Sequence, residues 1–204
     1  MTEHASNGRD SLESSETRVI LESGASLLAA RPFAEVSLAD VSVATHMSLA
    51  HVERHFEDMH ALGTAMLDHE RSAMRSMQAK VKGDPSAPLT DLRDAFRSVG
   101  QLLAEDVVVR AGVKLAAESR HHFPERRLDP FRTWQNFVDE RLRRAHELGQ
   151  LHDTADIEAI VRLIVAGGMG TKDLLAVHGT WSEAESRFDE MISAVLKLIS
   201  APSA

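Results

Sequence analysis

The sequence predicts an all-α protein with about nine helices. Apolar residues recur at intervals of three and four positions along most of the 204 residues, which is the spacing of amphipathic helices. No segment alternates apolar and polar residues as a half-buried strand does. Helix-ending residues separate the periodic segments, notably Pro32, Gly149 and the stretch GDPSAP at 83–88. We therefore expect a small N-terminal three-helix domain followed by a larger helical domain.

The periodic segments divide the chain into an arm and two domains. Residues 1–15 are polar and rich in serine, which predicts a disordered arm. Residues 16–60 are expected to form the small domain, beginning with a helix over 16–30. Residues 61–204 are expected to form the larger domain, and a long helix over 60–82 joins the two.

The larger domain is predicted to contain five further helices. Asp129 before Pro130 is a helix-start pattern, and Ser182 with Glu185 makes a capping-box pattern before the last helix. Three β-branched residues at 107–109 favour a strand locally, but no partner strand lies nearby, so we predict a helix there. The expected helices cover 89–105, 107–119, 129–149, 154–177 and 180–199.

The composition indicates a reducing compartment. The chain has no cysteine, which excludes disulfides and thiol chemistry. No apolar run approaches the roughly 18 residues of a membrane-spanning helix, and the N-terminus lacks the basic start and apolar core of a signal peptide. We expect a cytoplasmic protein without a membrane partner. Its net charge of −8 predicts weak attraction to nucleic acid in general.

The stretch 37–60 has the pattern of two short helices joined by a tight turn. One apolar stripe is followed by a second, after a break near Thr45 and His46. Two short helices crossing in this way form the DNA-reading unit in which the second helix enters the major groove. The two stripes consist of Leu38, Val41 and Ala44, then Met47, Leu49, Val52 and Phe56.

The first sixty residues resemble the N-terminal domain of TetR-family repressors. The matching positions are Ile20, Leu21, Ala25, Leu27, Leu28, Phe33, Ser37, Leu38, Asp40, Val41, Ser48, Val52, His55 and Phe56. The resemblance implies that operator DNA is a partner. It implies base contacts from Ser48, Leu49, His51 and His55, and phosphate contacts from Arg54 and the backbone amides near His60.

Four departures from the family pattern bear on DNA binding. The family usually has glycine where this chain has Pro32 and His46, a phosphate-contacting tyrosine where it has Glu53, and lysine where it has Met59. Residues 1–60 also contain four arginines, no lysine and ten acidic residues, a net charge of −6. Because phosphate is an anion, we expect DNA binding to be weak at physiological salt.

Two segments of the second domain resemble the γ-butyrolactone receptors of the TetR family. Those receptors have an Arg-Ala-Gly-hydrophobic-basic-Leu run and then a Pro-Phe-x-x-Trp element. The matches here are Arg110, Ala111, Gly112, Leu115, Pro130, Phe131 and Trp134, with Gly170 and Thr171 where the family often places a ligand-facing hydroxyl. The resemblance implies a small apolar effector such as a butyrolactone, bound by Phe131, Trp134, Phe137, Val138 and Thr171.

The residues by themselves leave another interpretation open. Trp134 lies at helical spacing from Phe131, Phe137 and Val138, a face able to line an apolar pocket with the indole N–H as donor. The same spacing is typical of a core tryptophan. Thr171 is equally explained by a hydroxyl that bonds within its own helix.

The last two predicted helices carry more apolar surface than one domain of this size needs. This predicts a homodimer through them, with a heterodimer with a related regulator as the alternative. Gly167, Gly168 and Gly170 would let a neighbouring helix approach closely, or else they mark a kink or helix break near 168. A twofold pair would place two recognition helices on successive half-sites of DNA.

We predict no catalytic, metal or cofactor site. Histidines are concentrated at 46–69, and His51 and His55 lie one turn apart as in a helical zinc site, but no third ligand can be named. A pH-sensitive charge explains the cluster better. Because the chain has no nucleophile elbow, cysteine or phosphate-binding glycine loop, we do not expect an enzyme.

The sequence therefore predicts a dimeric repressor whose effector changes the spacing of two recognition helices and so releases operator DNA. The alternative is a homologue with weakened or lost DNA binding that acts as a heterodimer partner or sequesters the ligand, and the acidic first domain favours it. A third possibility, a helical enzyme, needs a carboxylate or histidine beside the cavity.

Overall fold

The computed structural model describes residues 3–81 and 83–201. Within this part of the chain there are nine α-helices, three short 3-10 helices and no strand, and an isolated antiparallel bridge pairs Leu151 with Ser200. The predicted all-α class is confirmed. The α-helices are α1 (Glu3–Ala30), α2 (Leu38–Thr45), α3 (Leu49–His55), α4 (Met59–Lys80), α5 (Pro88–Glu105), α6 (Val107–His122), α7 (Pro130–Glu147), α8 (Ile157–His178) and α9 (Ala184–Ile199). The 3-10 helices are Phe33–Glu35, Pro124–Arg126 and Trp181–Glu183.

The chain forms two compact units whose boundaries differ from those expected. The first unit contains the described residues up to Arg71 together with Val107–Leu128, so it includes α6. The second contains Ser72–Asp106 and the described residues from Asp129 onward. The sequence predicted one domain over the whole of 61–204, because the first domain was expected to end with the helix-turn-helix at residue 60.

The core of the first unit is built around α1, α4 and α6. Fully buried side chains from α1 and α4 pack with those of α6, which explains why α6 belongs to this unit. Lys114 of α6 also donates to the carbonyls of Leu28 (2.7 Å) and Arg31 (3.1 Å) at the C-terminal end of α1. A cation is favourable there because helix C-termini carry partial negative charge. The core includes Ile20, Leu28, Leu62, Met66, Ala111, Leu115 and Phe123.

Helix α2 begins and ends at well-defined residues. Ser37 and Asp40 form a reciprocal capping box, in which the Asp40 amide donates to the Ser37 hydroxyl and the Ser37 amide donates to the Asp40 carboxylate. Hydrogen bonds from the Ser37 hydroxyl and amide, and then from Arg31, lower the pKa of Asp40 to about 2. The helix stops at His46, whose φ of 57° is left-handed. This conformation explains why glycine is usual at this position in the family that the sequence resembles.

The second unit consists of the end of α4 with α5, α7, α8 and α9. Its core residues come from four helices and include Leu92, Phe96, Val138, Leu142, Ile164, Phe188 and Ile192. Helices α5 and α9 are in close contact at Gly100, where an added Cβ would lie 2.6 Å from the Ala184 carbonyl oxygen. None of the described helices has the length and apolarity needed to span a membrane.

Two local expectations differ from the structure. Helix α1 already begins at Glu3, so the described part of the stretch expected to be a disordered arm is helical. The predicted capping box of Ser182 and Glu185 does not form, because Trp181–Glu183 is a 3-10 turn and α9 begins at Ala184 without a side-chain cap. The helix start expected at Asp129 does form, with a cap on the amide of Arg132, and Asp156 caps α8 on the amide of Ala159, which was not predicted.

Candidate functional site

Helix α3 has one buried face and one exposed face. The Ser48 hydroxyl caps the helix by accepting from the His51 amide (3.2 Å). Val52 is fully buried in the core of the first unit, which fixes the rotation of the helix. The opposite face therefore presents Ser48, Leu49, Glu53 and Arg54 to solvent, and Leu49 is 40% exposed. This is the geometry that a recognition helix needs.

Two of the predicted DNA-reading residues lie instead against α1. His51 Nε2 is 3.0 Å and His55 Nε2 is 3.5 Å from the same carboxylate oxygen of Glu16. The other nitrogen of His55, Nδ1, is 2.9 Å from the Thr17 hydroxyl. The His55 side chain is only 8% exposed, so it has little surface available for a base contact.

The predicted phosphate-contacting residues already have partners within the chain. Arg54 donates to His51 Nδ1 at 2.6 Å, although its side chain is exposed. His60 Nε2 is 3.1 Å from Glu125, and its ring lies 4.9 Å from that of Phe123. The Asp58 carboxylate accepts from the Ala61 amide at the start of α4, so this backbone donor is also occupied.

Glu16 and Thr17 are contacts that sequence reasoning missed. They are 35 and 38 positions from their histidine partners, and only the packing of α1 on the helix-turn-helix brings them together. The structure thereby groups Glu16, His51 and His55, whose ligand atoms lie within 4.8 Å of one another. Imidazole and carboxylate groups so placed are able to hold a metal ion.

The second unit contains an aromatic cluster around the predicted effector residues. The Trp134 ring lies 5.6 Å from that of Phe96 and 5.5 Å from that of Phe137, and Phe188 lies 6.5 Å from Phe96. Phe96 and Phe188 are buried, whereas Trp134 and Phe137 are partly exposed. Trp134 and Phe137 are thus brought together, as the sequence suggested.

The other predicted effector residues are placed differently. Val138 is completely buried, and Phe131 is 39% exposed at the start of α7. Thr171 lines an open groove of about 640 Å³ between α8 and α9, which none of the predicted α7 residues lines. Its hydroxyl donates to the Gly167 carbonyl at 2.8 Å, within its own helix.

Arg141 is a polar neighbour of the aromatic cluster that the sequence did not single out. Its guanidinium carbon lies 3.6 Å from the centre of the Phe137 ring, a cation–π contact. Its Nε is buried and has no hydrogen-bond partner within the described chain. A buried N–H without an acceptor is costly, so this atom is an unsatisfied donor beside the aromatic cluster. The sequence signal for Arg141 was its position seven residues after Trp134, which puts both side chains on the same face of a helix.

Helix α8 is continuous, so the glycines do not break it near 168. Gly168 is needed within the unit, because an added Cβ would lie 3.1 Å from Phe96. Gly170 is open, with no atom within 4 Å of such a Cβ. The exposed apolar side chains on α8 and α9 are Leu163, Leu174, Val177 and Leu198, with exposed fractions of 54%, 61%, 79% and 75%.

A second open groove, of about 610 Å³, lies between the end of α4 and α5. Its lining mixes apolar and charged side chains, including Met77, Lys80, Leu102 and Glu105. It contains none of the residues predicted to contact effector. Such an open, mixed surface lacks the enclosure typical of small-molecule sites.

Comparison with known proteins identifies the architecture. The profile of the tetracyclin repressor-like C-terminal domain matches residues 87–200. The fold is similar to that of CprB, a TetR family protein from S. coelicolor A3(2), with a TM-score of 0.76, 19% identity and coverage of 94% of this chain and 91% of CprB. A γ-butyrolactone receptor described as an ArpA-like protein gives a TM-score of 0.67 at 19% identity, covering 90% of this chain and 98% of the receptor. TylP, a TetR regulator from Streptomyces fradiae, gives 0.61 at 22% identity, with coverage of 93% and 89%. No curated protein sequence matches the chain.

Proposed function

The chain belongs to the tetracyclin repressor-like family, and from this premise we propose that it is a ligand-responsive repressor of the γ-butyrolactone-receptor type. In this proposal it binds operator DNA as a homodimer and is released by a small apolar effector such as a butyrolactone. The observation that carries the proposal is the exposed outer face of α3, capped by Ser48 and held by Val52, on a chain of this family.

The proposed effector site is the cluster of Phe96, Trp134 and Phe137 with Arg141. A lactone offers an apolar chain for the rings and carbonyl oxygen for a donor. The unpartnered Nε of Arg141 lies next to the Phe137 ring and is buried, so in this proposal it becomes that donor when the side chains around it move to admit the effector. Phe131, Val138 and Thr171 remain predictions, and the hydroxyl of Thr171 would have to leave the Gly167 carbonyl to bind an effector.

The chain passes between its two units three times, after residues 71, 106 and 128. The chain runs from α5 through Asp106 into α6, and from α6 through residues 123–129 to α7. In this proposal an effector that binds one arrangement of α5 and α7 more tightly than another moves α6 through these connections, and Lys114 of α6 binds the end of α1.

Glu53 provides the sharpest test of DNA binding. It is exposed on α3 at a position that usually carries a phosphate-contacting tyrosine. We expect Glu53→Tyr to tighten binding to a palindromic operator roughly tenfold and to steepen the salt dependence by about 0.9 per added phosphate contact. Glu53→Gln is the matched control, because it removes the charge without adding a contact. Fluorescence anisotropy over a salt series measures both quantities, and no operator binding by any variant at low salt would contradict the proposal.

Tryptophan fluorescence tests the effector site. A synthetic γ-butyrolactone with an alkyl side chain should change the emission of the wild type and of Trp181→Phe, which retains Trp134. It should not change the emission of Trp134→Phe. Arg141→Met should lower the affinity for the lactone about tenfold in the same titration, which is the value of one buried hydrogen bond. An emission change that persists in Trp134→Phe and disappears in Trp181→Phe would exclude this cluster as the site. The absence of any saturable change in the wild type would also exclude it.

The exposed apolar residues of α8 test the dimer. Leu174→Glu places a charge on a surface that is 61% exposed in the single chain, so the fold should survive while a twofold apolar contact should not. Light scattering after size-exclusion chromatography should show a dimer for the wild type and a monomer for this variant. Gln135→Glu on the exposed side of α7 is the control and should remain dimeric.

A second function, a partner or ligand-sequestering homologue without operator binding of its own, is favoured by one specific observation. His51, Arg54 and His55 are engaged within the chain rather than free for DNA. Mixing the protein with a related repressor separates the two functions. Operator binding only in the mixture would support a heterodimer, whereas binding by the homodimer at moderate salt would exclude this alternative.

A further inference from the structure

The group formed by Glu16, His51 and His55 has the composition of a transition-metal site. It offers two imidazole nitrogens from successive turns of α3 and one carboxylate oxygen from α1. The carboxylate oxygen is 3.0 Å from His51 Nε2 and 3.5 Å from His55 Nε2. Ligand bonds of about 2.0–2.2 Å around a tetrahedral ion put neighbouring ligand atoms roughly 3.3–3.6 Å apart. The two separations from the carboxylate fit this arrangement to within a few tenths of an ångström, and the two histidine ligand atoms lie within 4.8 Å of each other.

The hydrogen bonds of His55 leave a lone pair facing the carboxylate. The Thr17 hydroxyl donates its single proton to the Glu13 carbonyl (2.8 Å), so it accepts from His55 Nδ1 (2.9 Å). A neutral ring with its proton on Nδ1 has an unprotonated Nε2, which lies 3.5 Å from the Glu16 oxygen. Two acceptors at this distance repel, and either a proton on Nε2 or a metal cation between the two atoms removes the repulsion. The His55 side chain is only 8% exposed, so water screens this repulsion poorly.

His51 completes the arrangement through an exchange of partners. Arg54 donates to its Nδ1 at 2.6 Å, which leaves the proton on Nε2 to be donated to Glu16. An ion bound at Nε2 would displace this proton, and Nδ1 would then carry one. The Arg54 guanidinium, which has only donors, would have to move away, and its exposed position permits this.

We propose that Glu16, His51 and His55 bind a divalent transition-metal ion of the Zn²⁺ class, bridging α1 and α3. Nitrogen-rich ligands select Zn²⁺ and its neighbours over Mg²⁺ or Ca²⁺. Water supplies the fourth ligand, since Glu16 and His51 are both partly exposed. The Thr17 hydroxyl orients the His55 ring from outside, as the outer hydrogen bonds of metal-ligating histidines commonly do. The third ligand of this site could not be named from the sequence, because Glu16 lies 35 positions before His51.

Metal titration of the full-length protein tests the proposal. After treatment with a chelator, Co²⁺ should bind at one ion per chain with the visible absorption of a four-coordinate N/O site, and Zn²⁺ should displace it. Zn²⁺ should also raise the thermal midpoint, because it binds only the folded arrangement of α1 and α3. Isothermal calorimetry gives the affinity.

Two variants with accessible side chains identify the ligands without removing the buried His55. Glu16→Gln and His51→Ala should each weaken Zn²⁺ binding by about ten- to a hundredfold, while the circular dichroism spectrum stays unchanged. His60→Ala is the matched control, since this exposed histidine also faces a carboxylate but belongs to no group of three possible metal ligands among the described residues. Binding that is absent in the wild type, or unchanged in both ligand variants, would overturn the proposal. All titrations are done without DNA, so either outcome leaves the repressor proposal standing.

Discussion

A glycine lies at a close helix contact in each unit, but the atoms around it differ. At Gly100 in the second unit, the three atoms nearest to an added Cβ are all backbone atoms of Ala184 and Glu185. At Gly112 in the first unit, the nearest atom is Cβ of Glu70, followed by the Met66 carbonyl oxygen. The second unit thus brings two backbones together, whereas the first unit places a titratable side chain at the contact.

The same difference appears elsewhere in the two units. Within the described chain, both non-glycine residues with a positive φ, His46 and Arg127, belong to the first unit. So do Glu70, whose pKa is raised, and the group of Glu16, His51 and His55. The second unit has unfavourable features of another kind, since the buried Arg141 Nε and Ser193 Oγ have no hydrogen-bond partner within the described chain. Left-handed non-glycine residues and a raised carboxyl pKa thus occur in the first unit, whereas unsatisfied buried polar atoms occur in the second.

Gly100→Ala should have the largest effect. Its Cβ would lie 2.6–2.9 Å from backbone atoms, which cannot rotate away, so α5 and α9 must separate. We expect a loss of about 3 kcal/mol or more in the free energy of unfolding, far above the gain of about 1 kcal/mol in helix propensity. Urea denaturation measures the loss, and hydrogen exchange should locate it in the second unit. Asp94→Ala, exposed on the same helix, should change stability by less than about 0.5 kcal/mol.

Gly112→Ala should cost a similar amount, about 3 kcal/mol. The added methyl group would lie 2.4 Å from Cβ of Glu70 and 2.9 Å from the Met66 carbonyl oxygen, and both atoms move only with the backbone of α4. Urea denaturation should show a loss comparable to that of Gly100→Ala, with Arg120→Ala on the exposed surface of α6 as the control. A loss below about 1 kcal/mol would show that α4 and α6 separate easily.

Glu70 should give the first unit a pH-dependent stability. Burial raises the pKa of Glu70 to about 7 from its usual 4.5, partly offset by Arg71. The neutral carboxyl is therefore favoured in the folded state, and stability is lost as the pH rises from 4.5 through about 7. Glu70→Gln should be more stable than the wild type by about 1–2 kcal/mol at pH 8, less than the full shift implies because the side chain is partly exposed.

The pH dependence also supplies the control for this variant. At pH 4.5 the stability difference between Glu70→Gln and the wild type should be close to zero. Glu57→Gln, on the exposed surface of the same unit, should follow the wild type across the range. A Glu70→Gln advantage that is independent of pH would indicate a packing effect instead of a titration.

His46→Gly should give the smallest change, and a stabilising one. The left-handed φ of 57° costs a residue with a side chain roughly 1–2 kcal/mol, and glycine would remove this strain. Glycine also has more conformational freedom in the unfolded chain, which offsets about half of the gain. We expect a gain of about 0.5–1 kcal/mol in thermal or urea denaturation. His46→Ala keeps the strain and should show no gain, so stabilisation by both variants would point to the loss of the imidazole.

The sequence predicted local structure well because that structure depends on near neighbours. The helix-turn-helix at 37–60, the helix over 107–119 and the cap at Asp129 all follow from residues within one or two turns. The predicted cap at Ser182 was wrong for a local reason, since the competing 3-10 turn of Trp181–Glu183 uses the same residues.

The candidate sites were harder to predict because they depend on packing between distant segments. The spacing of His51 and His55 is visible in the sequence, but nothing marks Glu16 as their partner. Phe96 becomes a neighbour of Trp134 only when α5 packs on α7. Likewise, the chain order hides the fact that α6 completes the first unit. These facts require three-dimensional contacts that periodicity does not encode.

The interleaved course of the chain limits how the molecule can be divided. Because α6 supplies Ala111, Leu115 and Phe123 to the core around α1, a fragment ending before residue 107 would expose that core and lose the Lys114 contacts. Such a fragment should aggregate or remain unfolded, so the first unit cannot be exchanged between relatives as one continuous cassette. Recombination that replaces only its N-terminal segment would need a matching α6, and natural or engineered chimaeras should therefore inherit the two segments together.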